Sequence, residues 1–564
     1  MRIRSVEIVG GGPGGLYLAL LLRGRAPSVA VTVHERTRPE ETFGFGVGFT
    51  GATLRQLAAA DPESHAALLL AAHPNPRAEF VLPSGRAPVQ LRGNVAIERA
   101  RLLTLLVKRA DEEGVVLRWG SEPRAEELLE SGSLVVAADG AGSATRERFA
   151  TRLGATIEEG AGRYIWCAAD TCLPQSIYAT AETAAGTFVA HAYPYSADRS
   201  TFLVESEVAT LAAAGLEREL AAGHSDEKSL ALLQEAFAEI LGPARLIGNR
   251  SQWRGFRTVQ LERWHDGNLV LLGDAAHTAH YSVGSGTKIA MEDSIALADA
   301  LCGEPEERAA FARYEAARRP PVSRLQQISR RSQLWWEAFP RRAHLPARQL
   351  ALAFLTRTGN VGFGDVEVVD PGVLAAAASS AGADGHSREE ILRLPLEHAR
   401  RAIDGRLIGP SLGAWRSACP VVTAEQAGDA DPDPPYVQVG GPVEVAAARE
   451  RFPGSILAAV LDADGVEAWA PGAEARVEAA RRCLAAGCDG VHLEGAARSR
   501  SALLDRLELA ERLRLETDGL VAADCPVQYV DDAVIAIAAG RVDLISLEEG
   551  SVGKEGAPRE RQAA

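Results

Sequence analysis

Apolar positions along the chain fall into two different rhythms. Val6–Val9 is a short apolar run, Leu16–Leu22 reads as a helix, and Val29–Val33 is a second strand-like run. That order opens a βαβ unit and predicts a parallel sheet. Between residues 160 and 260 the pattern changes: GTFVAHAYPY and STFLVE carry the aromatic and β-branched alternation of antiparallel strands. Helix and strand alternate again from Leu269. After Pro435 they do so once more, through YVQVG, ILAAVLDA, VEAARRCLAAG, CDGVHLEG and onward to VDLISL. Two stretches interrupt the pattern. Residues 374–387 are small and polar with no period that closes a core, and residues 427–435 mix acids with three prolines, as an extended connector does. The expected partition is residues 1–373, with the antiparallel region at about 155–260, a connector at 374–435, and a separate α/β segment at 436–564.

Composition narrows the classes of function. With 564 residues, of which 46% are hydrophobic, the chain can bury more than one core. Its net charge of −15 argues against nucleic acid as a partner and against a polybasic membrane anchor. Seven cysteines, scattered and odd in number, do not make a secreted disulfide framework. The run Leu16–Leu22 ends at Arg23, far short of the roughly 20 residues that span a bilayer. Because MRIRSVEIVG runs straight into a strand pattern, no cleavable leader is expected, and the expected location is cytoplasmic. No metal-ligand set is predicted.

Three glycine-bearing motifs carry the chemistry. The first, Gly10-Gly11-Gly12-Pro13-Gly14-Gly15, has Gly10, Gly12 and Gly15 in the GxGxxG positions, after a strand and at the start of a helix. Glycines there let the backbone turn sharply and approach a pyrophosphate, which the helix N-terminus faces. Glu35, at the end of the second strand, is placed to accept ribose hydroxyls. Whether the dinucleotide is NAD or FAD is not decided by this motif. The second motif is Asp139-Gly140 within DGAGSATR. The third is Gly273-Asp274, followed by Gly284-Ser285-Gly286 and a helix. An Asp at a strand end can accept a ribityl or ribose hydroxyl, and a glycine-rich helix start can set its positive end against a flavin ring. Taken singly, each also fits an ordinary strand-to-loop turn.

Their order resembles the para-hydroxybenzoate hydroxylase family of FAD aromatic monooxygenases over about residues 1–375. Arg99 matches that family's arginine near the FAD pyrophosphate, and Tyr314-Glu315-Ala316-Ala317-Arg318 resembles its YExxR helix. The resemblance places Pro13, Gly14, Arg36, Gly46, Val47 and Thr287 with the flavin-binding residues. The strings Thr42–Val47, Arg163–Trp166, Ala190–Tyr193 and Gly273–Lys288 look like the thioester-hydroxylating branch of the family, which includes salicylyl-CoA 5-hydroxylase. The usual proline after GDAAH is absent, and Lys288 stands where an Asn is usual. The fold implied is α/β: a Rossmann-like FAD-binding domain with an inserted antiparallel substrate sheet, plus a C-terminal incomplete (β/α) barrel-like domain.

Function follows from the same resemblance. The resemblance implies that NAD(P)H would reduce FAD, that O2 would add at C4a and that the hydroperoxide would pass OH to an electron-rich ring. The protein binds, orients and excludes water. His280 and Tyr281, just before the flavin-facing turn, are the first candidates for polarising a ring hydroxyl or amino group. His191 and Tyr193, on the substrate sheet, are the next. For each, a packed residue with one structural hydrogen bond is the competing reading. The implied substrate is a salicylyl or anthraniloyl thioester on CoA or an acyl carrier protein, hydroxylated at the 5-position, and the implied assembly is a homodimer. An indole or other free aromatic substrate is the alternative, and a flavin-binding scaffold without turnover is the alternative outside enzymes.

Two further signals point elsewhere. Cys167 and Cys172 have CxxxxC spacing but lie after the DG motif, so a redox disulfide is not expected. Trp335-Trp336 at a helix end reads as core or entrance packing. The tail resembles part of an old-yellow-enzyme-like FMN barrel. A complete (β/α)8 barrel takes about 250 residues, and roughly half of that follows Pro435. Glu548 and Glu549 stand where an FMN phosphate would need cations, so no FMN is expected.

Overall fold

The computed structural model describes residues 4–548 apart from 39–40, 43, 92, 219, 222, 285, 384, 397–401, 409–415, 420, 425, 427–433, 469–472, 496 and 498. Two compact units emerge, residues 1–81 with 90–340, and residues 82–89 with 341–564.

The first unit is built on a six-stranded sheet. Its order is His265–Asp266, Leu269–Leu271, Leu134–Ala137, Ser5–Val9, Ala30–Glu35, Val116–Trp119. All pairs are parallel except the edge hairpin at 265–271. Leu134–Ala137 and Leu269–Leu271 are buried throughout, as strands covered on both faces must be. Helix Pro13–Arg25 is apolar on nearly every side because it lies inside this layer, with Pro13 through Leu22 all buried.

A second sheet follows the expected antiparallel pattern. Ala155–Ala169 pairs with Ser200–Ser206, which pairs with Gly186–Pro194, which pairs with Ser176–Thr183. Arg254–Leu261 and Leu246–Gly248 flank the long strand Ala155–Ala169. Every residue of Ser200–Ser206 is buried, because neighbours cover both faces. Helix Glu307–Glu337 then runs for 31 residues, carrying the YExxR sequence early and the Trp335-Trp336 pair at its end.

In the second unit seven strands pair in parallel: Leu407–Ile408, Leu544–Glu548, Leu520–Pro526, Gly490–Glu494, Ile456–Asp462, Tyr436–Val439, Val422–Thr423. A parallel bridge between Ile408 and Cys419, with Ala418 N donating to Leu407 O at 2.7 Å, joins the two ends of that order. The pairing therefore passes round a ring of seven strands, one fewer than a full barrel. Its first two strands come from residues that composition reads as connector, and helices Pro371–Ser380 and Arg388–Leu392 lie in that stretch too. Tyr436 and His492 sit on strands that are not neighbours, yet Tyr436 Oη lies 3.1 Å from His492 Nδ1, so the contact crosses the ring's interior. Gln438 and Asp524 complete this group, at 3.1 and 2.9 Å from the same imidazole. Among the described residues no helix is long and apolar enough to cross a membrane. All seven cysteines are free.

Candidate active site

The three glycine motifs leave the carboxyl ends of three strands that the sheet order makes adjacent: Ser5–Val9, Leu134–Ala137 and Leu269–Leu271. That edge is where ligands bind in open α/β sheets. Gly10 has φ +111°, and a Cβ there would stand 2.3 Å from the Ala138 carbonyl oxygen, so only glycine fits. Gly15 faces the Gly10 oxygen just as closely, at 2.1 Å, whereas Gly12 has open space before it. Pro13 starts the helix, and Gly14 lies against Leu272. Glu35 closes the turn from the next strand. Its Oε2 accepts from Gly11 N at 2.7 Å, and its Oε1 accepts from Thr37 N and Oγ1, both at 3.0 Å. Arg36 is exposed at the rim, 3.6 Å from Glu122.

Gly10, Gly11, Gly12, Glu35 and Arg36 line a cleft of about 350 Å³ with Arg99, Asp139, Gly140 and Arg250. Arg99 begins a helix, and its backbone N donates to Phe45 O at 2.7 Å. Its Nε is buried and has no hydrogen-bond partner among the described residues. Burial draws its pKa down, against the pull of Asp274 and Glu35. A half-buried guanidinium with an idle, buried Nε, beside glycine turns and a helix N-terminus, fits the pyrophosphate of a dinucleotide. Arg250, which sequence reading passed over, lines the same cleft with φ 56°, the one non-glycine residue in the left-handed region among those described.

The DG and GD motifs are laced together. Asp139 accepts from Ser143 Oγ at 2.5 Å and from Thr145 N at 3.1 Å, holding its own loop, while Gly140 turns at φ +79° into open space. Arg146, fully buried, donates to the Ala141 carbonyl at 2.5 Å and to the Asp274 and Ala275 carbonyls at 3.3 and 3.2 Å. The arginine of DGxxSxxR thus ties one loop to the next. Gly273 turns at φ +60° with Ala290 behind it. Burial raises the Asp274 pKa, while His277 and Arg99 oppose the rise. The YExxR residues brace the same strand: Tyr314 Oη donates to Leu271 O at 3.3 Å, Glu315 accepts from Trp264 N at 3.0 Å, and Arg318 donates to Asp293 at 2.7 Å.

Gly284, at φ +59°, and Gly286 both open onto free space, the nearest atom to a Cβ on Gly286 being Asp274 Oδ1 at 3.8 Å. Ser285 lies outside the described residues. Thr287 is half-buried in the first helical turn, and Lys288 beside it is buried, its pKa drawn down to about 8 by desolvation against Glu292. Gly46 lies against Tyr195 and Thr201, leaving no room for a Cβ, and Val47 is buried in the core. Tyr193 Oη donates to Gly46 O at 2.8 Å, so that hydroxyl fixes the loop.

His191, His280 and Tyr281 come together beside this turn. Tyr281 packs against His280, Tyr164 and Phe256, with ring centroids 4.0, 4.7 and 5.7 Å away. His280 Nδ1 is 2.8 Å from Ser282 Oγ, which is 2.7 Å from Ser332 Oγ. His191 lies 3.8 Å from the Trp336 ring, which brings the helix-end aromatic pair to the site. Sequence reading missed Glu205. It is 5% exposed, and its Oε1 lies 3.1 Å from His191 Nε2. The signal was a lone acid closing the apolar run STFLVE, where alternation puts it opposite Tyr164. Cys167 is buried inside the sheet, and burial pushes its thiol up to about 12.

A parallel dinucleotide sheet whose three glycine loops and Arg99 meet at one edge, joined to an antiparallel sheet with a cluster of polar and aromatic side chains, defines an FAD-dependent aromatic monooxygenase. The chain belongs to the FAD binding domain family, matched over residues 4–329. Salicyloyl-CoA 5-hydroxylase of a Streptomyces species is 42% identical over 376 residues, 65% of this chain and 72% of that protein. The 3-hydroxy-4-methyl-anthranilyl-[aryl-carrier protein] 5-monooxygenase of Streptosporangium sibiricum is 39% identical over 377 residues, 65% of this chain and 98% of that one. Protodeoxyviolaceinate monooxygenase of Chromobacterium violaceum is 30% identical over 364 residues, covering 63% and 94%. FAD is the cofactor, with O2 and a nicotinamide reductant as co-substrates.

Proposed function

We propose that this chain hydroxylates an aryl thioester, a salicylyl or anthraniloyl group on CoA or on a carrier protein, at the ring 5-position. The observation that carries the reading is the similarity, over 376 and 377 residues, to one relative named for a CoA ester and another named for a carrier-bound anthranilyl group. The residues in the chamber fit a ring with an ortho hydroxyl or amino group. Tyr281 offers a hydroxyl, His280 and His191 flank it, and Trp336, Tyr178 and Phe256 pack around them. Bound FAD supplies oxygen activation that amino-acid side chains lack. Gly10–Gly15, Glu35 and Arg99 hold its nucleotide end, and Asp139, Asp274 and the Gly284–Gly286 turn hold the remainder. The aromatic walls exclude water from the reacting ring. A free aromatic substrate is the second reading, supported by similarity to protodeoxyviolaceinate monooxygenase. Residues 436–564 are read as part of a shortened barrel without FMN, serving subunit or carrier docking, since Glu548 ends its last strand and an acid there repels phosphate. The protein works as a homodimer in this reading. The test is flavin release and stoichiometry, followed by NAD(P)H oxidation with and without thioester. One FAD per chain and stimulation by the thioester but not by the free acid are expected; stimulation by the free acid alone overturns the thioester reading.

A further inference from the structure

We infer that Arg250 is a diphosphate-binding residue of the dinucleotide cleft, presented there by a turn whose backbone is strained to carry it. The ligand chemistry is the diphosphate of a dinucleotide, which both FAD and the nicotinamide reductant bear. The inference holds whichever aromatic substrate the enzyme takes.

Arg250 is exposed and has φ 56°, a conformation that costs any residue with a Cβ and that glycine adopts freely. Its two neighbours sustain that strain. Asn249 Nδ2 donates to Thr42 O at 3.0 Å and to Gly44 O at 3.3 Å, and Asn249 N donates to Ser251 Oγ at 3.0 Å. Ser251 is sealed from solvent. Its N donates to Ser225 Oγ at 3.2 Å, its Oγ donates to Trp166 O, and its carbonyl accepts from Asp226 N at 2.8 Å. Three separate parts of the chain thus grip the residues on either side of Arg250, and none of these bonds uses Arg250 itself. A glycine would keep every one of them without strain, so the turn gives no reason for an arginine. The reason lies in the side chain, and strain kept in this way marks functional positions.

The cleft supplies that reason. Arg250 lines it together with Gly10, Gly12, Thr42 and Arg99. The loop that Asn249 holds lies against Arg99, since a Cβ on Gly44 would stand 3.7 Å from Arg99 Cδ. Among the described residues the Arg250 guanidinium makes no hydrogen bond or ion pair. Carboxylates also line the cleft, but they are engaged elsewhere: Glu35 by Gly11 and Thr37, Asp139 by Ser143 and Thr145, while Glu122 lies 3.6 Å from Arg36. A dinucleotide brings one negative charge on each phosphate. The glycine turn and Arg99 meet part of that charge, and the planar fork of a second arginine suits the remainder.

The experiment uses the full-length chain. FAD affinity is read by fluorescence titration of the apoprotein. Reductant affinity is read as the NADH or NADPH concentration that half-saturates anaerobic bleaching of the FAD-loaded enzyme. Arg250→Gly removes the cation and keeps the turn, whereas Arg250→Lys keeps a cation and loses the fork. A charged hydrogen bond is worth a factor of roughly 10–100 in affinity, so Arg250→Gly should weaken a dinucleotide by that much and Arg250→Lys by less. A higher FAD dissociation constant assigns the cofactor's diphosphate, and a higher half-saturation at saturating FAD assigns the reductant's. The apoprotein of Arg250→Gly should melt no lower than wild type, because the strain is gone. If both affinities stay at wild-type values, or fall only together with the apoprotein's melting temperature, the inference is overturned.

Discussion

His277 and Asp293 lie 2.8 Å apart, both sealed from solvent, and together they brace the Gly273–Asp274 turn from behind. Asp293 also accepts from Gly273 N at 3.2 Å and from Arg318 Nε at 2.7 Å, so one carboxylate joins the GD motif to the YExxR helix. Burial alone would raise its pKa, but His277 and Arg318 hold it below the usual carboxylate range.

Asp293→Ala leaves the buried His277 imidazole without its anion and strips the Arg318 guanidinium of one of its two carboxylates, Glu292 remaining at 3.0 Å. Breaking a buried pair costs about 3–5 kcal/mol. The expected outcome is a lower thermal midpoint together with loss of FAD on gel filtration, partly restored by added FAD. Retention of both at wild-type levels would show that the turn does not depend on this brace.

Arg99→Met removes the idle buried donor in the cleft while keeping most of its volume. A charged hydrogen bond is worth about 1.5–3 kcal/mol, so the FAD dissociation constant should rise roughly 10–100-fold. Flavin fluorescence titration of the apoprotein measures this, and an unchanged constant removes Arg99 from the pyrophosphate site.

Glu35→Ala strips two supports at once, the acceptor for Gly11 N and the acceptor for Thr37. FAD affinity should fall and resistance to proteolysis around the glycine turn should fall with it. Glu35→Gln, which keeps one acceptor oxygen, should lie between alanine and wild type in both readouts.

Glu205→Gln has a signature in stability. A carboxyl whose folded pKa is raised keeps its proton longer in the folded state, so its contribution is fully present below the ordinary value of 4.5 and is lost as pH rises through about 8. The glutamine variant is spared that loss. Its thermal midpoint, relative to wild type, should therefore gain as pH is raised across this window, and a constant difference would contradict the assigned titration.

His492→Ala should weaken the second unit by a few kcal/mol, since Tyr436, Gln438 and Asp524 each lose a buried partner. Calorimetry on the full chain, with FAD content measured alongside, separates this from damage to the flavin site.

The sequence by itself determined the dinucleotide half. Gly10 and Gly273 take φ of +111° and +60°, and a Cβ on Gly15 would meet the Gly10 oxygen in the same turn, so these constraints are written within short segments of the chain. The parallel and antiparallel layers were legible for a similar reason, since a strand's burial leaves a period in its own residues. Tertiary structure decided what depends on residues distant in the chain. That Glu205, Tyr281, His191 and Glu337 meet follows from strand register and a helix end. No local pattern announces a carboxyl whose partners lie 14, 76 and 132 residues away. The ring in the second unit was hidden likewise, because Leu407–Ile408 and Cys419 gain their meaning only from pairing with strands near the far end of the segment and with each other. Composition records which residues are small or polar; it does not record which backbone hydrogen bonds they will complete.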